Sequence, residues 1–227
     1  MRRRFAAALL GLCGLIAGCS STVAGTGTLA QGASAPAGSG APSGSASASP
    51  EPSATASGSD DQGRQSLSCT GTKISPAGSP YCFSMPAGFQ DVSSSVTVDA
   101  SIGQEKYRSA VAAGERDLII LSVYELRVDT DPIADDTLEG ELKTVLGRLA
   151  QQGFTFDTTS ADKTTVDGAR SFGYHASQKS SGLESDVYFL FRGKNELQVN
   201  CQWKTKEADI TKGCKSVLAS LQFTAVK

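Results

Sequence analysis

The chain has few of the residues that most enzyme active sites use. It contains a single histidine, His175, among 227 residues, so any Ser-His or Cys-His nucleophilic pair would need that residue. Gly-x-Ser-x-Gly and His-Glu-x-x-His motifs are absent, as are Cys-x-x-Cys pairs and glycine-rich phosphate loops. These absences argue against the common hydrolases, metalloproteases, redox pairs and phosphate-binding enzymes.

Aromatic and charged residues are also scarce, at 7% and 19% of the chain, and both values are low for a globular protein. The cause is their uneven distribution. From Ser20 to Ser66, 38 of 47 residues are Gly, Ala, Ser, Thr or Pro, whereas 14 of the 15 aromatic residues lie between Leu67 and Lys227. The sequence therefore predicts one domain, residues 67–227, and excludes a two-domain enzyme, a disordered protein and a multi-pass membrane protein.

The one long apolar run, Phe5 to Ala17, has 13 residues and is too short for a stable transmembrane helix. It follows three arginines and ends in Leu15-Ile16-Ala17-Gly18-Cys19, which matches the bacterial lipobox. We therefore predict a lipoprotein signal peptide over residues 1–18, cleaved before Cys19, whose thiol carries the diacylglycerol. The alternative is an ordinary secretory signal with an incidental cysteine.

Residues 19–66 are predicted to form a lipidated N-terminus and a disordered tether, because this low-complexity segment cannot bury enough apolar surface to fold. Two acyl chains anchor a protein stably, so we expect the domain at the outer face of the cytoplasmic membrane, in the cell envelope. After cleavage the chain has 18 basic and 23 acidic residues, a balance that argues against nucleic acid as a partner.

Four cysteines belong to the domain, and in each pair, Cys69 with Cys82 and Cys201 with Cys214, 12 residues separate the two. An even count in an exported protein indicates disulfides, with three connectivities open. The sequential pairing closes two short loops and is the one we predict. A zinc site is the alternative, although zinc ligands usually lie closer together in sequence.

Hydrophobic periodicity predicts two amphipathic helices, Asp136 to Gln152 and Glu207 to about Leu221. Strands are predicted at Tyr81 to Met85, Leu118 to Val128 and, more weakly, Ser95 to Ile102. A hairpin turns at Asp167-Gly168, and further strands start near Asp186 and Glu196. Successive hairpins with covering helices indicate an α+β fold, with a twisted, largely antiparallel sheet and two main helices.

These elements resemble the LpqN-type lipoproteins of actinobacteria, which have the fold of the photosystem protein PsbP. The resemblance covers nearly all of Cys69 to Val226 and contains no catalytic motif. It implies a binding or scaffold module associated with cell-envelope biogenesis, without fixed functional residues. The segments that carry it are 81–89, Asp117 to Val128, Thr165-Val166-Asp167-Gly168, 188–191, 199–203, Gly213-Cys214 and 216–221.

Three local patterns suggest candidate sites. Asp129, Asp131 and Asp135, with Asp136, have the spacing of calcium ligands, although an EF-hand would need other residues where Ile133, Ala134 and Gly140 stand. Trp203, Tyr188 and Phe191 are predicted on paired strands, where they line a groove or pack in the core. Ser160 and Lys163 match the Ser-x-x-Lys nucleophile motif, but its partner motifs are missing.

From these features we expect a membrane-anchored binding or adaptor module of the cell envelope, with an envelope protein or ligand as its partner and no cofactor, metal or catalytic residue. Two alternatives remain open. One is a carrier of a lipid or small apolar molecule, which needs an internal cavity of about 300 Å³ or more. The other is a cell-wall hydrolase, for which Glu125, Asp129 and Asp131 are the clustered carboxylates.

Overall fold

The computed structural model describes residues 28–29, 67–97, 105–151 and 153–225. The predicted signal peptide, Cys19 and all of the predicted tether except Thr28 and Leu29 lie outside these residues. Those two residues form a short strand paired with Val96 and Thr97, so the prediction of disorder does not hold for them. The described elements are, in chain order, β1 (Thr28–Leu29), β2 (Lys73–Ile74), β3 (Tyr81–Ser84), β4 (Gln90–Asp91), β5 (Val96–Thr97), β6 (Glu105–Ala112), β7 (Leu118–Glu125), α1 (Asp135–Ala150), β8 (Phe154–Phe156), β9 (Asp162–Val166), β10 (Ala169–Gln178), β11 (Leu183–Arg192), β12 (Asn195–Trp203), α2 (Glu207–Ser220) and β13 (Gln222–Phe223).

The main sheet has the strand order β4–β6–β7–β12–β11–β10–β8, with β9 also paired to β10. Every described pairing in it is antiparallel. A smaller sheet has the order β13–β3–β2, and β1 pairs with β5. With α1 and α2 this arrangement confirms the predicted α+β class. Neither helix of the described residues is both long and apolar enough to cross a membrane.

Helix α2 covers one face of the main sheet, which we call the α2 face. Its buried residues Ile210, Cys214 and Val217 recur at the spacing of one helical stripe. They pack with Leu197 and Val199 of β12 in the larger hydrophobic cluster. The small sheet lies against the same helix, since Tyr81, Phe83 and Phe223 join that cluster.

One turn of α2 packs unusually close to its neighbours. A Cβ atom built at Gly213 would lie 2.5 Å from the Phe89 ring and 3.1 Å from Ile119, well inside van der Waals contact. The glycine therefore allows Phe89, which follows β3, to pack directly on the helix backbone.

Helix α1 packs on the opposite face, which we call the α1 face. Its apolar stripe forms a second cluster with the large aromatic residues of β10 and β11, including Phe172, Phe189 and Phe191. The buried residues of the helix are the five that the periodicity predicts: Leu138, Leu142, Val145, Leu146 and Leu149. The two helices therefore lie on opposite faces of a single sheet.

Both predicted disulfides are present. Cys201 of β12 bonds Cys214 of α2, and Cys69 bonds Cys82 of β3. The first ties the central strand to the helix above it. The second ties the start of the domain to the small sheet. Each bridge restricts the unfolded chain and so stabilises the fold, by about 3 kcal/mol in the chain-entropy estimate.

The entry to α2 depends on Asp117, a buried residue just before β7. Its Oδ1 accepts hydrogen bonds from the backbone N–H groups of Lys204, Thr205 and Lys206 at 2.8–2.9 Å, and its Oδ2 accepts one from the Thr205 hydroxyl at 3.0 Å. Burial raises the pKa of this carboxyl, but these hydrogen bonds outweigh burial and hold the pKa below its usual value.

The central strand β12 is buried on both faces. Its α2 face carries Leu197, Val199, Cys201 and Trp203, whereas its α1 face carries a polar row: Glu196, Gln198, Asn200 and Gln202. Each residue of this row is at most 2% exposed.

Not every polar atom of this row has a hydrogen-bond partner. The Gln198 amide donates to Glu196 Oε1 at 2.6 Å, whereas Asn200 Oδ1 has no partner among the residues that the structure describes. Burial raises the pKa of Glu196 to about 7, against the smaller opposing effect of the Gln198 hydrogen bond.

Three strand predictions differ from the structure. The sequence reasoning missed β6, whose first half is charged and only partly buried and so lacks a clear strand pattern. Strand β7 ends at Glu125 rather than Val128, because the N–H of Leu126 turns to the Lys194 carbonyl. Of the weak prediction over Ser95 to Ile102, the structure describes only the two residues of β5.

Asp117→Asn should lower the free energy of unfolding at pH 7 by about 2 kcal/mol, because the charged acceptor of three N–H groups is lost. The pKa of Asp117 is lowered in the folded state, so its contribution is complete above about pH 4, the unfolded value, and is lost as the pH falls through the folded value. Urea unfolding at pH 7 and pH 2.5 measures the difference, with the exposed Glu115→Gln as the control. An equal effect of Asp117→Asn at both pH values would contradict this account.

Glu196→Gln should stabilise the protein at pH 8 but not at pH 4. The folded state keeps a proton on Glu196 up to about pH 7, whereas the unfolded chain releases it near pH 4.5, so stability falls as the pH rises between these values. The amide avoids that loss, which amounts to about 3 kcal/mol. Thermal unfolding at both pH values, compared with the exposed Glu141→Gln, tests the sign. A stabilisation that is the same at pH 4 would show that Glu196 does not titrate in this way.

Candidate functional site

A groove of about 310 Å³ opens on the α2 face, beside the middle of β10 and β11. It combines carboxylates, an imidazole and aromatic surface. Its lining residues are Asp157, Ser160, Asp162, Gly173, Tyr174, His175, Asp186 and Tyr188. Because most of these residues belong to paired strands, the register of the sheet sets the shape of the groove.

The floor of the groove is formed by the Tyr188 ring, which packs on the backbone of Gly173. Gly173 lies opposite Tyr188 on β11 and opposite Asp162 on β9. A Cβ atom at this position would lie 3.1 Å from the Tyr188 ring and 3.3 Å from Asp162 Cβ. Gly173 does not have the positive φ that would itself favour glycine. The missing side chain therefore leaves room for the tyrosine ring to lie against the strand.

His175 forms one wall and is held by two carboxylates of β11. Its Nδ1 lies 3.0 Å from Asp186 Oδ1, and its Nε2 lies 3.3 Å from Glu184 Oε2. Its ring centroid is 5.8 Å from that of Trp203. The hydrogen bond to Asp186 raises the pKa of His175 above its usual value; burial opposes this effect, and the charges of Asp186 and Glu184 add to it.

The remaining wall is acidic. Asp157 follows β8, and its own N–H bonds the His175 carbonyl. Its Oδ1 accepts the N–H and the hydroxyl of Thr159 at 3.1 and 2.6 Å, which lowers the pKa of Asp157. Burial raises the pKa of Tyr188, and the negative charges of Asp186 and Asp162 raise it further. The groove thus has a negative potential over an aromatic floor.

The structure brings together only two of the three aromatic residues predicted to line a groove. Tyr188 lines it, and Trp203 lies beside it with its ring tilted by 40° against that of His175. Phe191 packs in the core under α1, on the opposite face of the sheet, which is the other alternative that the sequence left open. Tyr188 and Phe191 are three residues apart in one strand, and side chains alternate between faces with a period of two.

The four aspartates with calcium-like spacing have other partners. Asp129 Oδ1 accepts the N–H of Asp131, and Asp131 Oδ1 accepts the N–H of Gly193 at 2.8 Å. Asp135 pairs with Arg170, whose guanidinium also bonds the Thr130 and Ile133 carbonyls. Asp136 lies 3.4 Å from Lys163. Their hydrogen bonds and ion pairs hold this loop against the β11–β12 turn and β10.

The described residues 67–97, 105–151 and 153–225 contain no group of three or more His, Cys, Asp or Glu side chains arranged to hold a metal ion. Glu125, a carboxylate of the hydrolase alternative, pairs with Lys106 at 3.0 Å. The Ser-x-x-Lys pair is divided, since Ser160 lines the groove while the Lys163 amine bonds Glu139 of α1 at 2.7 Å.

Sequence reasoning missed most of the groove. Asp157, Asp162, Gly173 and Asp186 come from a loop and three strands, and no motif spacing connects them. One available signal was Gly173 inside a strand pattern, since an interior glycine often marks a close approach or an open space.

No protein-family model matches the chain, and no curated protein matches it. Among solved structures, it is similar to the solution structure of cyanobacterial PsbP (CyanoP) from Synechocystis sp. PCC 6803, at a TM-score of 0.47 and 14% identity over 73% of this chain and 98% of that one. A crystal structure from Bacteroides thetaiotaomicron is similar at a TM-score of 0.42 and 10% identity, over 67% of this chain and 48% of that one. Because neither TM-score reaches 0.5, neither likeness carries an argument about this chain.

The contact between the one histidine and the one tryptophan, whose ring centroids are 5.8 Å apart, allows the groove to be titrated directly. A protonated imidazole quenches a neighbouring indole, so Trp203 fluorescence should fall as the pH decreases, with a midpoint above 6.5 because the pKa of His175 is raised. Asp186→Asn should move the midpoint to lower pH, since its carboxylate is the main cause of the shift. Glu141→Gln on α1 should leave it unchanged. A midpoint at or below 6.5 in the unmodified protein would contradict the assigned geometry.

Proposed function

We propose that this protein is a lipid-tethered binding or adaptor module of a bacterial cell envelope, of the LpqN type, and that the groove beside His175 is its binding surface. The observation that carries the proposal is the open groove over Gly173. Its polar groups converge on an exposed part of an otherwise well-covered sheet. The lipobox at Cys19 and the low-complexity residues 20–66 support the tethered location.

The rigidity of the groove favours binding. Gly173, His175 and Asp186 lie on the long paired strands β10 and β11, whose other face is packed under α1. A surface that is already ordered loses little conformational entropy when a partner docks. The groove therefore suits recognition without rearrangement.

The position of the groove relative to the tether also favours an adaptor. Cys69, which follows the tether, lies beside the C-terminal end of α2, where its sulfur is 3.6 Å from the Ser220 carbonyl. Trp203, next to the groove, precedes the N-terminal end of the same helix. The 14 residues of α2 span about 20 Å. The start of the domain thus lies at one end of the helix and the groove opens near the other, which leaves the groove accessible to a partner.

Site-specific photo-cross-linking in the native host tests this function. A benzophenone amino acid replaces Ser160, an exposed residue that lines the groove. The control replaces Glu141, an exposed residue of α1 on the other side of the sheet. We expect a reproducible envelope adduct from position 160 that is absent from position 141. No adduct at position 160, or the same adducts at both positions, would count against the groove as the binding surface.

A further inference from the structure

We infer that the groove beside His175 receives a cationic segment of a partner protein, with a lysine ammonium or arginine guanidinium seated over Tyr188 between the carboxylates. This inference rests on the proposed function and names the chemistry of the partner. It is carried by the charge of the walls and by the aromatic floor, where the Tyr188 ring lies on Gly173.

The charge of the groove is strongly one-sided. Asp157, Asp162 and Asp186 line it, Glu184 stands behind His175, and its described lining includes no lysine or arginine. The nearest lysine in sequence, Lys163, points to the other face, where it bonds Glu139. Four carboxylates thus face one imidazole, and the region stays negative even when His175 is protonated.

Only some of these carboxylates have an ion pair or a hydrogen bond with another described residue of the domain. His175 pairs with Asp186 and Glu184, and Asp157 accepts two bonds from Thr159. No ion pair or hydrogen bond of the Asp162 side chain is found among the described residues. A neutral or acidic partner that covered Asp162 would remove water from a carboxylate without a counter-charge, which is costly. A cationic partner replaces the lost water with an ion pair.

The floor suits the same occupant. The Tyr188 ring is half-buried, packs on the backbone of Gly173 and lines the groove. A cation within about 6 Å of an aromatic ring centre is attracted by the ring quadrupole, and more strongly where water is excluded. The aliphatic stem of lysine or arginine can lie along the apolar ring while its charged head reaches Asp162 or Asp186.

Titration with tetralysine tests this inference. The full chain in a nonionic detergent at pH 7.5 is titrated with tetralysine, and binding is followed by the fluorescence of Trp203, the only tryptophan. The matched neutral probe is tetralysine acetylated on every side-chain amine. We expect binding of tetralysine that weakens as salt is added, and at least tenfold weaker binding of the acetylated peptide. Equal affinity for both peptides would overturn the inference.

Two variants locate the site. Asp162→Asn with Asp186→Asn should weaken tetralysine binding at least tenfold, whereas Glu115→Gln with Glu141→Gln, which removes the same charge from exposed positions elsewhere, should not. Gly173→Ala keeps every charge but displaces the Tyr188 ring that forms the floor, because the added Cβ would lie 3.1 Å from it. This variant should also weaken binding, and it tests the inference even if the double variant folds poorly. An equal loss in the control pair would mean that tetralysine responds only to net charge, and would overturn the inference.

The cross-linking and titration experiments separate the two proposals. An adduct from position 160 together with tetralysine binding that is insensitive to the groove variants overturns the cationic partner and leaves the binding surface standing. Groove-specific tetralysine binding without any adduct in the native host supports the chemistry of the groove and counts against its use as an adaptor surface.

Discussion

The Cys201–Cys214 bridge between β12 and α2 determines which part of the sheet is covered. It holds the buried face of the helix on the central strand, while the Asp117 carboxylate fixes the start of the helix through three backbone N–H groups. With these two attachments α2 lies over β12 and β7 and against β3. Its main contacts are with these strands, and the side chains of His175 and Asp186, in the middle of β10 and β11, remain partly exposed to solvent. The groove is therefore a consequence of how the helix is anchored.

The same central strand carries an unusual energetic cost on its other face. Glu196, Gln198, Asn200 and Gln202 are removed from water, although a buried polar group without a full set of hydrogen bonds destabilises a fold by about 1–3 kcal/mol. The apolar clusters on either side of the row, under α1 and around Ile120, must offset this cost. The tight aromatic packing of Phe172 against Phe191 and of Tyr174 against Phe189 belongs to one of these clusters. The α1 face thus tolerates a buried carboxyl group whose pKa is near neutrality.

Much of the fold could be predicted from the sequence because its signals are local. The apolar residues of α1 and α2 recur with the helical period, and the predicted ends of both helices lie within two residues of the observed ones. The hairpin at Asp167-Gly168 has a turn that requires positive φ at both residues. In contrast, β6 belongs to the sheet through pairing with β7 and β4, and its charged first half gives no independent strand pattern. The alternation of polar and apolar residues in β12 indicates that its two faces differ, but it does not indicate which helix or strand packs on each face.

The candidate site was harder to predict, because its residues meet only through strand register. Gly173 comes opposite Tyr188 and Asp162 through two separate pairings, and His175 reaches Asp186 across the same hairpin. A shift of one residue in either pairing would place these side chains on opposite faces. The two alternatives for the aromatic residues, groove or core, are decided in the same way, since strand periodicity places Phe191 on the face opposite Tyr188.

The aspartates near α1 show the complementary case. Asp129, Asp131 and Asp135 are close in sequence and resemble metal ligands, yet their oxygens accept bonds from backbone N–H groups and Arg170. In the groove, by contrast, the Asp162 carboxylate is exposed and stands beside an aromatic ring. Carboxylates that already have donors are tied to the fold, whereas one that faces open space over a ring can bind another molecule. The groove is the better candidate for recognition because its Asp162 carboxylate faces open space, whereas the aspartates near α1 already accept hydrogen bonds. The number of acidic residues does not decide between the two places.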